Sequence, residues 1–276
     1  MSVSTSKLLR ISISFVIFSV TISQANAALV AYWNFDEESG NTVADLSGNG
    51  FDGTINGATR VPGFVGPGAL VFDGFNDIVT VLTAPGDALD FAGQSEVTVM
   101  AWVQAASAPG GICCGQIVGQ RDGGLAWALR DDGRDIGSEF ELLSTTNAGF
   151  AGDAAADGVP RTTLGEWHHV AAVIDLSLNG GEASLYVNGV LSHSYDVAGT
   201  TLQNQSAATR LDIGGAGDGY FSGEIDEVRV YDTALTASQI VSAITTVPEP
   251  GSLTLACFFL AGITHVLRRK RRRVSH

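Results

Sequence analysis

Leu185-Tyr186-Val187-Asn188-Gly189-Val190-Leu191 decides the fold class. Asn and Gly both tolerate the positive φ that a two-residue hairpin turn requires. Tyr186 and Val187 before the turn, and Val190 and Leu191 after it, are then the paired ends of two strands. Outward from this hairpin, further strand-like runs recur between clusters of Gly, Asn and Asp. They are Leu29–Phe35, Ala69–Phe72, Ile78–Leu82, Val97–Gln104, Gln116–Arg121 and Leu125–Arg130, then Phe140–Ser144, His168–Asp175, Ala183–Val187, Leu191–Tyr195, Arg210–Ile213 and Gly223–Tyr231. One helical pattern stands out: Thr236-Ala237-Ser238-Gln239 is a capping box opening the run Ile240–Ile244. Many short strands with almost no helix predict an all-β antiparallel sandwich or jelly roll.

Charge narrows the function. The chain has 276 residues, with 15 basic and 29 acidic side chains. Between Ala28 and Val247 lie seven arginines and no lysine against 28 acids, a formal charge of −21. Such a domain repels nucleic-acid phosphates, so no nucleic-acid partner is expected.

Both ends read as addresses. Residues 1–27 form a secretory signal peptide, with Lys7 and Arg10 ahead of the apolar run Ile11–Ile22. Ala25-Asn26-Ala27 is a small-x-small cleavage site, so the mature chain is expected to begin at Ala28. Residues 247–273 combine the hinge Val247-Pro248-Glu249-Pro250-Gly251, the apolar stretch Ser252–Leu267 and the basic run Arg268–Arg273. A 16-residue helix would cover roughly 24 Å, slightly short of a bilayer core, and the basic run would stay cytoplasmic. This arrangement resembles the PEP-CTERM sorting signal. The resemblance implies a C-terminal transmembrane helix, with Pro248, Glu249 and Pro250 as the recognition motif of an exosortase-type enzyme. It further implies a Gram-negative cell, and export to the surface, outer membrane or exopolysaccharide matrix. Of the three cysteines, Cys257 lies in the tail; Cys113 and Cys114 are adjacent and are expected to form a local disulfide without chemistry.

An ordered set of motifs spans residues 28–246. It runs from Leu29-Val30-Ala31-Tyr32-Trp33-Asn34-Phe35-Asp36-Glu37 through Asp45-Leu46-Ser47-Gly48-Asn49-Gly50, Ala69-Leu70-Val71-Phe72-Asp73-Gly74 and Val97–Val103. It closes with Trp167-His168-His169-Val170-Ala171, Leu185–Gly189 and Gly223-Glu224-Ile225-Asp226-Glu227-Val228-Arg229-Val230-Tyr231. Together these resemble a LamG-like domain of the concanavalin A-like lectin/glucanase jelly roll. That fold hosts lectins, glucanases, adhesion modules and passive spacers, so the site must decide the function.

Asp45, Ser47, Asn49 and Gly50 follow the opening of an EF-hand loop, but the twelfth position is Asn56 and no helices flank the loop. The resemblance implies Ca2+ at a sandwich edge, with Asp45, Asn49 and the distant Asp226 as ligands. The alternative is a loop in which Asp45 and Asn49 bond the backbone. Glu224-Ile225-Asp226-Glu227 resembles the start of the glucanase E-x-D-x-(x)-E signature. Glu224 and Asp226 share a strand face, yet the next residues on it are Val228 and Val230, or Arg229 if one residue is inserted. Glu227 is expected to point to the opposite face. No acid completes a catalytic pair, so no enzymatic activity is expected. His168 and His169 lead into a buried strand and read as structural. Trp127, Tyr220 and Phe221, with Phe150, are the candidate sugar-stacking aromatics, whereas Trp33, Trp102 and Trp167 read as core. The expected function is an exported, non-catalytic module binding exopolysaccharide or surface glycan. A structural adhesion protein of the matrix and a glycoside hydrolase relative are the alternatives.

Overall fold

The computed structural model describes residues 27–106, 114–120, 126–131, 140–152, 163–178, 180–203, 209–217 and 219–245. Residues 1–26 of the expected signal peptide, Cys113, Cys257, and the sorting segment with Pro248, Glu249 and Pro250 lie outside the described residues. The strands in chain order begin with β1 (Leu29–Trp33), β2 (Thr42–Val43), β3 (Gly53–Asn56), β4 (Thr59–Val61), β5 (Ala69–Asp73) and β6 (Ile78–Leu82). There follow β7 (Glu96–Ala105), β8 (Gly115–Gln120), β9 (Trp127–Asp131), β10 (Phe140–Thr146), β11 (Gly149–Gly152) and β12 (His168–Asp175). The last are β13 (Glu182–Val187), β14 (Val190–Asp196), β15 (Arg210–Ile213), β16 (Gly215–Ala216), β17 (Gly219–Tyr220) and β18 (Ser222–Tyr231), before α1 (Ala237–Thr245).

They form two sheets. The first has the order β14-β13-β12-β7-β18-β5-β4, with β1 also pairing β18. The second runs β11-β10-β9-β8-β15-β6-β3-β2, with β16 and β17 attached. Pairing is antiparallel throughout, apart from the short parallel contact of β17 with β8. Alternation explains the packing. Val97, Val99, Ala101 and Val103 of β7 enter the core, with Val170, Ala172 and Ile174 of β12. From the opposite sheet they meet Val79, Val81, Leu129, Leu142, Leu211 and Ile213. The chain is therefore an antiparallel β-sandwich.

The deciding hairpin forms as expected. Asn188 (φ 52°) and Gly189 (φ 77°) turn between β13 and β14, with Val187 opposite Val190. The helix start is also as expected: the Thr236 amide donates to Gln239 Oε1 at 2.9 Å, and the Gln239 amide to Thr236 Oγ1 at 3.4 Å. α1 and its approach lay Ile240 and Leu235 on the outer face of the first sheet, against Met100, Ala171 and Val173. That covers one part of the outer face and leaves its neighbour, around Trp102, to other partners. Among the described residues no helix is long and apolar enough to cross a membrane. Cys114 is disulfide-bonded.

Candidate functional site

The outer face of the first sheet is built by the residues of β7 and β18 that alternate with the core set. Trp102 pairs with Asp226 and Gln104 with Glu224, so two rows run side by side across both strands. His169 of β12 pairs with Trp102 from the other side. Trp167 precedes β12, whose His168 pairs with Val103, and the Gly165 amide donates to the Ala105 carbonyl at 2.8 Å. Trp167 thus falls beside Gln104.

A loop from the β4–β5 connection closes over this face. Phe64, 49% exposed, packs on Trp102 with ring centres 4.4 Å apart, and stacks on Trp167 at 5.4 Å and 27°. Trp102 meets the His169 ring edge-on at 5.4 Å. Two carboxylates hold the loop. Asp226 Oδ2 accepts the amides of Phe64 (3.0 Å) and Val65 (2.9 Å), and Asp36 Oδ1 accepts that of Gly68 (2.9 Å). Gly66 is needed here, because a Cβ on it would lie 2.7 Å from both Asp36 oxygens.

Asp226 is fully buried, and its Oδ1 has no partner. Burial pushes its pKa up to about 7; the Glu227 and Asp36 charges add to that, against the two amide bonds. Burial also raises Asp36, with the Glu37 charge adding and the Gly68 amide opposing. His169 is pushed down to about 3, by burial first and then by the charge of Arg229.

β18 departs from the expected alternation. A β-bulge lies between Asp226 and Arg229, and Glu227 adopts a left-handed φ of 57°. Val228 and Val230 consequently enter the core, instead of following Glu224 and Asp226 on the outer face. Arg229 takes the outer position opposite Met100. Glu227 is likewise not on the far side: its carboxylate accepts the Tyr32 hydroxyl at 2.8 and 2.9 Å and is bonded by Arg229. Arg229 also donates to the Ala243 carbonyl at 2.5 Å and stacks 4.5 Å from the Tyr32 ring centre. Burial raises Glu227, while Arg229 and the Tyr32 hydroxyl lower it.

The sequence-derived stacking residues mostly fall elsewhere. Trp127 is fully buried in the core, edge-on to Phe91 at 6.0 Å, and Phe221 is fully buried too. Neither offers a ring face, because both fall on inward positions of the sandwich. Tyr220 is half-buried beside Gln116, and Phe150 is exposed on β11. Trp33 is core as expected, but Trp102 and Trp167 are half-buried on the outer face. Strict alternation along Val97–Gln104 puts Trp102 out of register with Val97, Val99, Ala101 and Val103, and that was the signal available for it. Phe64 carried no such signal, since it lies in a Gly/Pro loop.

The residues expected from the sequence to hold calcium each have protein partners. Asp45 Oδ1 accepts the amides of Tyr32 (3.0 Å) and Ser47 (2.9 Å), and its Oδ2 accepts the Phe51 amide (3.0 Å) and the Ser47 hydroxyl (2.8 Å). Asn49 Nδ2 donates to the Val30 carbonyl at 2.9 Å. These bonds fasten the loop to β1, whereas Asp226 is engaged at the Phe64 loop. Among the described residues no group of three His, Cys, Asp or Glu is placed to hold a metal ion.

Comparison with known proteins agrees with the fold. The model of the concanavalin A-like lectin/glucanases superfamily matches residues 77–241. Domain 4 of AbnA, a GH43 extracellular arabinanase from Geobacillus stearothermophilus, solved with arabinotriose, is 22% identical with a TM-score of 0.59, covering 79% of this chain and 98% of that one. Trypanosoma rangeli sialidase is 20% identical with a TM-score of 0.56, over 78% of this chain and 32% of that one. The ligand-binding domain of botulinum neurotoxin serotype D, solved with N-acetylneuraminic acid, is 12% identical with a TM-score of 0.57, over 78% and 50%. At these identities the likeness is one of fold. No curated protein matches the chain. By its family match and its two-sheet architecture, the chain belongs to the concanavalin A-like lectin/glucanase superfamily.

Proposed function

We propose that this chain is a non-catalytic glycan-binding module, exported and directed to the cell surface or exopolysaccharide by its sorting tail. The observation that carries the reading is the aromatic cluster Phe64–Trp102–Trp167, part-exposed on a rigid sheet with Gln104 and Glu224 alongside. Sugar rings present apolar C–H faces to aromatics and hydroxyls to amides and carboxylates, and this surface supplies both. The complexes of similar fold with arabinotriose and N-acetylneuraminic acid support the same reading. Hydrolysis needs two accessible carboxylates at a set separation. Here Asp226 is sealed under the Phe64 loop and Glu227 is held by Tyr32 and Arg229, so neither of the other two acids of β18 is open to pair with Glu224. A glycan array followed by calorimetry on the best ligand tests the proposal. Trp102→Ala and Trp167→Ala should each weaken binding about tenfold, from lost stacking of roughly 1 kcal/mol or more. Unchanged affinity in both variants rejects this surface as the site.

Calcium enters by a second observation, the partnerless buried Oδ1 of Asp226. A hard cation would supply the missing partner at Asp226. Binding to the folded state alone adds about 2.7 kcal/mol at a hundredfold excess over Kd, so the melting temperature should rise with calcium against chelator. Asp226→Asn should remove most of that rise. Superimposable wild-type melting curves would dismiss the ion.

A further inference from the structure

We infer that the aromatic face selects glycans carrying free amino groups, with Glu224 as the counter-charge; this rests on the glycan-binding reading above. Glu224 lies on the outer face of β18, between Gln104 of β7 and Val71 of β5. It is half-buried, and among the described residues it forms no hydrogen bond or ion pair. The other two acids of its strand segment are already engaged, Asp226 by the Phe64 and Val65 amides and Glu227 by Tyr32 and Arg229. Glu224 is thus the carboxylate that β18 leaves available beside the aromatic rings. A directly opposed cross-strand pair has Cβ atoms about 4.5–5.5 Å apart, so Glu224 and Gln104 can reach a common ligand.

The cations are distributed in the opposite way. Each of the four described arginines is paired with a carboxylate: Arg60 with Glu37, Arg130 with Glu141, Arg210 with Asp212 and Arg229 with Glu227. The Ala28–Val247 stretch contains no lysine. Among the described residues a uronic or sialic acid carboxylate would therefore meet no uncommitted cation, and it would approach a domain of formal charge −21. A protonated 2-amino-2-deoxy sugar gains on three counts. Its apolar ring face stacks on the aromatics, its ammonium is attracted to their π-faces, and the same ammonium makes a charge-assisted bond to Glu224. A neutral sugar keeps only the first.

The test compares four probes on the exported chain by calorimetry at low salt. They are a glucosamine hexamer, its fully N-acetylated counterpart, a hexagalacturonate and a hexalysine peptide. The glucosamine hexamer should bind at least about tenfold tighter than the acetylated one, as expected for a hydrogen bond to a charged group. The uronate should not bind. Glu224→Gln should erase the preference between the two hexamers to within about twofold, and its melting temperature should match wild type. A preference that survives Glu224→Gln, uronate binding, or hexalysine binding as tight as that of the glucosamine hexamer would each overturn the inference. If the acetylated hexamer binds through Trp102 with no amine preference, the glycan-binding reading stands and the inference alone falls. If no sugar on an array binds, both fall.

Discussion

His169 is 1% exposed, edge-on to Trp102, and feels the positive charge of Arg229. Its folded pKa of about 3 lies below the ordinary value of 6.5. The unfolded chain therefore takes up a proton at a pH where the folded chain does not. The stability His169 contributes is complete above pH 6.5 and is lost as pH falls through the window from 6.5 to 3. Asp226, raised to about 7 across the same patch, has the opposite sign: its contribution is present below pH 3.8 and lost as pH rises to 7. A variant comparison separates the two. In His169→Gln, the unfolding free energy lost between pH 7 and pH 5 should shrink by about 2 kcal/mol relative to wild type. Urea titrations at both pH values measure it, and an equal loss in the two proteins would mean that burial does not hold the imidazole neutral. Burial also corrects the choice of stacking residues. Trp127 and Trp102 look equivalent in a list of aromatics, yet one faces the core and the other the Phe64 loop.

The β18 bulge and the loop carrying Phe64 act together as one device. By turning Glu227 at positive φ, the bulge lets Asp226, Glu227 and Arg229 all reach the outer side. A residue other than Gly or Asn in that conformation costs roughly 1 kcal/mol, which the Tyr32 and Arg229 bonds to Glu227 offset. α1 is fastened separately, by its capping box and by Arg229 to the Ala243 carbonyl. Thr236→Ala should destabilise the fold by about 1 kcal/mol, visible as a lower urea midpoint. Glycan affinity should not change, because α1 covers Met100, Ala171 and Val173 and not the aromatic face. A loss of affinity in Thr236→Ala would show that the helix and the aromatic face are coupled.

At the scale of the whole molecule, the two ends of the domain meet. The Ala28 nitrogen donates to Asp232 Oδ1 at 3.2 Å, across the β1–β18 pairing. Cleavage after Ala27 would turn that amide into an ammonium facing a carboxylate, a favourable exchange at a solvent-exposed position. N-terminal sequencing of exported protein is expected to begin at Ala28; a chain still beginning at Met1 would end the signal-peptide reading. The strongly acidic surface adds a salt dependence. Electrostatic attraction of a cationic glycan is screened beyond about 8 Å at physiological ionic strength, so any preference for amines should fade as salt is added.

The sequence by itself determined what depends on near neighbours. The Asn188-Gly189 turn, the Thr236–Gln239 cap and the two-residue period of β7 are local, and each survives in the structure. So was the sandwich, because many short alternating strands have few other ways to bury one face each. Tertiary structure alone decided which outward face is covered and by what. A period of two states that Trp102 and Val103 oppose one another; it does not say that Phe64, from a loop nearly forty residues earlier, lies on the tryptophan. Nor could strand periodicity foresee the bulge at Glu227, since one extra residue inverts the faces of everything after it and sent Val228 inward and Arg229 outward. The Asp45–Gly50 loop shows the same limit. The side chains of Asp45 and Asn49 were legible in the chain, but the Tyr32 and Phe51 amides on Asp45, and the Val30 carbonyl that takes the Asn49 side-chain amide, depend on where β1 lies. A carboxylate's availability is set by the amides folded against it, and those come from distant parts of the chain.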